Sequence, residues 1–504
     1  MINLANIKRL LKNDIFWTNL LIVIIFLFYL VTIVDDHNWG GDFSMYILNA
    51  KNIASGLPYA QTGYIYNPDV SYYGPPAYPP VFPLMLSPFI LVWGVQLQLL
   101  KLPVIFCFIG ALFFLNNRFL NKEMSLVVKI TSLITIGICP YFFFFSENIL
   151  SDLPFLFLCY LALHSINLQN DGAKTNKEKF GMAILTGLLI YLAYGTRSVG
   201  LALLPVALLA DFFHHKKITL YFIVTLFSSL VFIFLQYLLI PQTGSYLDQF
   251  NFSLHGLLAG ILDTISDYLT LLGHIFPFKN QTLVNSCLLL LSVSFVVGVI
   301  NRFKKKITSF EIFFFVYLGV LCLWPAFQGE RFLIPVIPLF FLYAIEGFEK
   351  ITLLFKWIWL RKSLSILLLA FVISLYGSIY LKSFPRTNYD IKKPATQELF
   401  RFVSNETSKD DVILFFKPRV LALFVERQSV AMAIPASDGD TLGRMKELGV
   451  DYVILRKNYP YEIQPELNEF LMGNASNFKL IYENSEFNVY RVISYISSND
   501  SEIS

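Results

Sequence analysis

Charge is what this 504-residue sequence has least of: Lys, Arg, Asp and Glu together make up 15% of it, against about 25% in soluble globular domains. That deficit, with 56% hydrophobic residues and 50 phenylalanines, excludes an ordinary water-soluble enzyme and indicates a polytopic membrane protein. Cysteine is scarce too. All five (Cys107, Cys139, Cys159, Cys287 and Cys322) lie in apolar stretches, so neither a disulfide framework nor a cysteine-type metal site is readable. No basic patch is interleaved with aromatics, which leaves no signal for nucleic acid as a partner. Internal repeats and low-complexity tracts are also missing.

What is present is a series of apolar runs separated by short polar connections. The first, Ile15–Val34, is about 20 residues long, longer than a secretory signal core and long enough to span a bilayer. Eleven spans are expected, at 15–34, 98–117, 126–145, 153–168, 181–195, 199–213, 218–240, 282–301, 308–326, 332–347 and 363–381. Lys and Arg gather in alternate connections: Lys8/Arg9/Lys12, Arg118/Lys122, Lys174/Lys177/Lys179, Lys216/Lys217, Arg302/Lys304/Lys305/Lys306 and Lys350/Lys356/Arg361/Lys362. The positive-inside rule makes these cytoplasmic. The N-terminus is then inside, and the loop 35–97, the turns 146–152, 196–198 and 328–331, the loop 241–281 and everything after Lys382 are outside. The run Val81–Gly94 is apolar but carries Pro83 and Pro88 and is about 14 residues long, which reads as interfacial or re-entrant. Counting it as a span would move Glu147 and Asp152 to the cytoplasm.

The last 120 residues change character. Short β-rich runs (Val412–Phe416, Ser429–Ile434, Asp451–Arg456) alternate with helical patterns at Thr396–Asn405, Pro418–Val425, Asp440–Leu448 and Pro465–Met472, the pattern of a small α/β domain. The expected architecture is therefore mainly α: about eleven transmembrane helices with amphipathic outer-loop helices in residues 1–383, and a small α/β extracytoplasmic domain in 384–504.

Four constellations carry candidate chemistry. In "HNWGGDFSMYILNAKNIASG", Asp42 opens a helix with Gly56 as its stop. Phe43, Tyr46, Ile47, Ala50, Ile53 and Ala54 form an apolar stripe, so the helix lies along the membrane surface. Asp42 reads either as an N-cap or as a carboxylate kept ionised by the helix dipole to accept a proton or bind a cation. In "FFFFSENILSDLPF", Glu147 and Asp152 sit close to hydrocarbon, where acids are costly and tend to be functional; Pro154 fits the first turn of the following helix.

The third constellation is basic. Arg197 in "AYGTRSVGLALLP" and Arg331 in "FQGERFLIPVIPL" each break the positive-inside trend just before a span. They read as headgroup-snorkelling side chains or as a phosphate site, since guanidinium matches phosphate through paired hydrogen bonds. Lys51 and Lys101 are further candidates of that kind. Fourth, "YIYNPDVSYYGPPAYPPVFP" is dense in tyrosine and proline: an interface belt or a rigid sugar platform, with Tyr46, Tyr73 and Tyr78 as candidate substrate contacts. "DDHN" (Asp35–Asn38) is a weak metal signal.

Taken in order, "GGDFSMYILNAKNIASG", "PPAYPPVFPLML", "SENILSDLPFLF", "GTRSVGLALLP" and "GERFLIPVIPLF" resemble the membrane glycosyltransferases of the GT-C type. Within these, the sequence is similar to the bacterial branch akin to protein O-mannosyltransferases and the lipid A aminoarabinose transferase. The closing "DDVILFFKPRVLALFVERQSV" and "LGVDYVILRK" resemble the outer domain of many members. The resemblance implies inverting transfer of a sugar from a polyprenyl-phosphate donor to a lipid, glycan or protein acceptor on the outer face of the cytoplasmic membrane. It also implies that Asp42 is the general base, that Asp152 with Glu147 positions the acceptor or binds a metal, and that Arg197, Arg331 and Lys51 bind the donor phosphate. A divalent metal ion held by Asp42, Glu147 or Asp152 is the expected cofactor. One departure stands out: "YYGPPAYPP" lacks the lysine that some relatives carry before the proline-rich step. The alternatives are a transporter or flippase of lipid-linked glycans, or a polymerase of such glycans.

Overall fold

The computed structural model describes residues 14–120, 124–171, 175–240, 261, 263–268, 270–271, 275–276, 278–323, 329–384, 390–434, 438–459 and 464–495. Lys8, Arg9, Lys12, Lys122 and Lys174, which carry part of the expected orientation, lie outside these residues, as does most of the loop 241–281. The described residues fall into two compact units. One holds the residues up to Ile33, Lys101–Leu238 and those between 247 and 385; the other holds Val34–Leu100, residues 239–240 and those from 390 onward.

The first unit is a helical assembly, and each of the eleven expected apolar segments contains a helix. Among the described residues, six helices are long and apolar enough to cross a membrane: Asp14–Val31, Leu97–Arg118, Ser198–His215, Leu220–Leu239, Gln281–Lys305 and Ile358–Ser383. A seventh crossing results if Leu126–Gly137 and Pro140–Ser146, bent by 46°, count as one span. Length and composition thus account for six or seven of the eleven expected crossings. Asp152–Asp171 and Asn176–Tyr194 have 20 and 19 residues and fall short in apolar composition, whereas Ser309–Cys322 has 14 residues and Ile337–Thr352 has 16. At 1.5 Å per residue the latter two fall short of a hydrocarbon core of about 30 Å.

Gln281–Lys305 and Ile337–Thr352 pack on each other through backbone. A Cβ at Gly298 would sit 1.9 Å from Tyr343 O, and one at Gly347 would sit 1.7 Å from Ser294 O. Apolar burial cannot drive association where the surroundings are themselves apolar, so small residues that admit close backbone approach set this contact.

The second unit is built on a six-stranded sheet. Its strands are β1 (Tyr64–Ile65), β2 (Val412–Leu414), β3 (Gln428–Val430), β4 (Val450–Arg456), β5 (Phe478–Glu483) and β6 (Phe487–Val492). Their order is β1-β3-β2-β4-β6-β5. The first four run parallel and β4-β6-β5 antiparallel. The sheet core is Val412, Leu414, Val430, Leu442, Met445, Val453 and their neighbours, with Ile65 packed against it. The segment 35–97, assigned to the membrane part on sequence grounds, thus donates an edge strand to the C-terminal sheet.

Other contacts within the unit repeat that attachment. Trp39 is surrounded by Phe400, Phe415, Phe416 and Phe487 at ring-centroid distances of 5.7–6.2 Å. Asp36 Oδ1 accepts the Lys392 N–H at 3.0 Å, and His37 O accepts the Asp390 and Ile391 N–H groups at 3.2 Å. The "DDHN" segment therefore works as a backbone clamp, and the His37 ring stacks on Phe43 at 3.7 Å. Val81–Trp93 is a 13-residue helix with Pro88 inside it, and it packs on the Gly41–Ser55 helix.

Gly298→Leu and Gly347→Leu should each abolish formation of the native helix pair, and Gly347→Ala should lower the thermal midpoint in detergent by several degrees. Leaving Gly319 to carry an alanine, where a Cβ meets nothing within 4 Å, should change the midpoint little.

Candidate active site

Asp42 lies in the first turn of the Gly41–Ser55 helix, whose N-cap is Gly40 and whose C-cap, Gly56, takes φ 67°. The carboxylate is therefore one turn-position inside the helix and not the cap. Asp42, Tyr46 and Asn49 recur at i, i+4 and i+7 and share a face. Asn49 uses that face to hold the proline-rich segment: its Nδ2 donates to Tyr59 O at 3.0 Å and Pro76 O at 3.1 Å, and its Oδ1 accepts the Tyr78 N–H at 3.2 Å. Asn52 donates to Pro58 O, Tyr59 O and Gln61 O at 2.8–3.2 Å. The Tyr59 hydroxyl donates to Tyr78 O at 2.7 Å. Six hydrogen bonds from two asparagines thus fold this segment back over the helix, which sets Tyr78 above Asp42.

The Tyr78 hydroxyl donates to Asp42 Oδ1 at 2.6 Å. Arg419, near the start of the Pro418–Val425 helix, donates from Nη1 to the Tyr78 hydroxyl and lies 3.4 Å from Asp42 Oδ1. Its guanidinium carbon sits 5.1 Å from the Tyr64 ring centre and 5.0 Å from that of Tyr78. Burial opposes its charge, yet Tyr78, Asp42 and Tyr64 outweigh burial and raise its pKa. Burial pushes the Tyr64 hydroxyl up to about 12, against the opposing pull of Arg419, so that phenol stays neutral. Asp42 retains 28% side-chain exposure while Arg419 has 3%. Beside them lies a pocket of about 220 Å³ lined by Gly41, Asp42, Tyr72, Tyr73, Lys417, Pro418 and Arg419. This is smaller than the roughly 300–1,000 Å³ of drug-sized sites and suits one sugar-sized group.

In the helical unit, Asp152 begins the Asp152–Asp171 helix and is 1% exposed. Arg197 Nη1 donates to its Oδ1. Arg331 Nε donates to both carboxylate oxygens at 3.1 Å. The Arg197 guanidinium also lies over the Phe332 ring at 5.2 Å. The three side chains together carry one net positive charge, and both arginines keep partial exposure, 13% and 22%. Glu147 caps the C-terminus of Pro140–Ser146 and is buried. An apolar cavity of about 390 Å³ in this unit is bordered by Glu330, Tyr141 and Tyr268.

Among the expected site residues, the structure brings Asp152, Arg197 and Arg331 into one cluster and Asp42, Tyr78 and the Tyr73 pocket wall into another. Tyr46 is buried against Tyr78 and Phe82, with centroids at 5.0 and 4.9 Å, so it supports Tyr78 rather than facing the pocket. Lys51 is nine positions beyond Asp42, about 180° around the helix, and its ammonium pairs with Glu426. That pairing lowers the Glu426 pKa. Lys101 is fully buried. Among the described residues no three His, Cys, Asp or Glu side chains converge to hold a metal ion, and Asp152 already offers its oxygens to two guanidinium groups. Arg419 and Lys417 are absent from the sequence reading. The signal for them was "FKPRV": two cations at a helix start, where the dipole disfavours positive charge and a partner is required.

No family model and no curated protein matches the sequence. Solved structures do. The oligosaccharyltransferase of Archaeoglobus fulgidus in complex with Zn and sulfate superposes with a TM-score of 0.60 at 11% identity, covering 94% of this chain and 73% of that one. The chain has the GT-C glycosyltransferase fold. A second structure of GT-C fold, the archaeal oligosaccharyltransferase AglB from Archaeoglobus fulgidus with an inhibitory peptide and a dolichol-phosphate, matches with TM-score 0.56, 12% identity and 88% and 69% coverage. ArnT from Cupriavidus metallidurans bound to undecaprenyl phosphate matches with 0.52, 10%, and 96% and 98%. The resemblance read from the sequence motifs holds at the level of the GT-C fold.

Removing the buried carboxylate that two partly exposed guanidinium groups share should cost up to about 3–5 kcal/mol. Asp152→Ala should therefore lower the thermal midpoint in detergent more than Arg331→Gln, which leaves Asp152 paired with Arg197.

Proposed function

We propose that the protein transfers a sugar from a polyprenyl-phosphate donor to a hydroxyl-bearing lipid, glycan or protein acceptor, with inversion at the anomeric carbon. The observation that carries this reading is a partly exposed carboxylate, Asp42, held by a phenol and a guanidinium beside a sugar-sized pocket on a GT-C fold. Two relatives in fold are recorded with dolichol-phosphate and undecaprenyl phosphate, which supports a lipid-linked phosphate as the donor handle. The reaction belongs on the outer face of the cytoplasmic membrane, the side to which the alternation of basic connections assigns these residues.

Asp42 accepts the proton of the acceptor hydroxyl as its oxygen attacks the anomeric carbon. The bond from that carbon to the phosphate oxygen breaks, and its electron pair leaves with the polyprenyl phosphate. General-base assistance of this kind contributes about 10²–10⁴-fold. Arg197 and Arg331 meet the negative charge growing on the departing phosphate; stabilisation of developing charge is usually the largest single contribution. A divalent cation, where one binds, would share in neutralising that phosphate, but the described carboxylates do not form a ligand set and no step is assigned to it.

The test is turnover by the purified chain in proteoliposomes, using undecaprenyl-phosphate-linked hexoses and pentoses and measuring release of free undecaprenyl phosphate. Asp42→Asn should abolish release while the variant still folds, its thermal midpoint lowered because the buried Arg419 loses its anion; near wild-type turnover by that variant rejects Asp42 as base. Arg331→Gln should lower kcat/KM for the donor by about 10²–10³-fold. Donor crossing the bilayer without any release of the lipid phosphate would instead identify a transporter.

A further inference from the structure

We infer that Arg419 is a positioning residue for the transfer reaction: acting through the Tyr78 hydroxyl, it fixes the Asp42 carboxylate in the orientation that takes the acceptor proton. The inference rests on the reading of Asp42 as general base.

A guanidinium taken out of water loses several kcal/mol of solvation unless charge and hydrogen bonds replace it. The first turn of a helix is a poor place to recover that loss, because the backbone N–H groups there present positive potential. Arg419 sits in such a turn and is 2% exposed. Its compensation comes from outside its own helix: the Tyr78 hydroxyl, Asp42 Oδ1 and two aromatic faces. Two rings at about 5 Å restrict the guanidinium.

The order of donation matters. Nη1 donates to the Tyr78 oxygen and, in a longer hydrogen bond of 3.4 Å, to Asp42 Oδ1, so the Tyr78 proton is left to point at that same carboxylate oxygen, 2.6 Å away. A tyrosine without that cation could rotate its hydroxyl or turn to solvent. One carboxylate oxygen is thereby committed to Tyr78, and the carboxylate plane is set. With that plane set, the second oxygen has a defined direction from which to receive a proton. Small misplacements of a reacting group cost large factors in rate, and groups that orient a reacting residue commonly contribute 10–100-fold. A side chain retained only for stability would have no reason to leave its anion the most exposed member of the trio.

Arg419→Lys keeps the charge but loses the planar fork; Tyr78→Phe keeps the ring and removes the relay. With the undecaprenyl-phosphate sugar that the wild-type chain turns over, each should lower kcat about 10–100-fold, with the donor KM within about twofold and the thermal midpoint within a few degrees. The double variant should be no worse than the poorer single one, because both act through one hydrogen-bond chain. Wild-type kcat in both single variants, or additive losses in the double variant, overturns the inference. If Arg419→Lys fails to fold, Tyr78→Phe alone decides, by the same kcat-against-KM split. Asp42→Asn separates the two levels: loss of turnover in Asp42→Asn with wild-type kcat in Tyr78→Phe removes only the positioning role, whereas retained turnover in Asp42→Asn removes the base and the positioning role with it.

Discussion

The second unit depends on a buried positive charge finding its anion. Arg419 comes from the chain's last quarter and Asp42 from its first tenth, and the fold of the second unit brings them to 3.4 Å. Around that pair the remaining contacts fall into sequence. Asn49 and Asn52 fold the proline-rich segment over the Asp42 helix, which delivers Tyr78. Tyr64 reaches the guanidinium because β1 pairs with β3. The same electrostatic logic operates in the helical unit with the signs exchanged, where one buried carboxylate is shared by two guanidinium groups. Each arrangement encloses one charge and leaves its partner side partly open to solvent, which is the polarity a site needs if it is to act on a ligand.

Much of the local structure was legible from the residues. The Pro418–Val425 helix was expected at its observed bounds, and the Asp451–Arg456 strand within one residue. Gly56 closes the Asp42 helix as the stop signal implied. Arg197 and Arg331 were singled out because cations before a span break the charge trend, and both converge on Asp152, itself chosen for its position beside hydrocarbon. These features leave marks within about ten residues of themselves, so periodicity and charge placement reveal them.

Other features leave no local mark. β1 has two residues, and its partners lie some 365 positions away; nothing in "TGYIYN" announces a parallel pairing. The β5–β6 hairpin went unread although "FKLIYE" and "FNVYRV" are both β-rich, because exposed and buried positions do not alternate cleanly along them. For the span count the difficulty is different: the runs 308–326 and 332–347 are apolar in composition, yet the helices there have 14 and 16 residues, fewer than a crossing usually needs. Lys51 shared a motif with Asp42 yet points to the opposite side of the helix, a consequence of 3.6 residues per turn that reading along the sequence conceals.

The two-residue strand β1 has a consequence for how the chain assembles. Without it, the backbone of Gln428–Val430 would stand as an open parallel edge, with its hydrogen-bonding groups available to any extended peptide. The edge of β3 is sealed by residues synthesised more than 340 positions earlier, so the sealing strand is already present when Gln428–Val430 emerges. A fragment beginning after the last helix of the first unit would therefore carry a permanently sticky margin, and the segment between the first two apolar runs must wait, unpaired, for the partner that completes it.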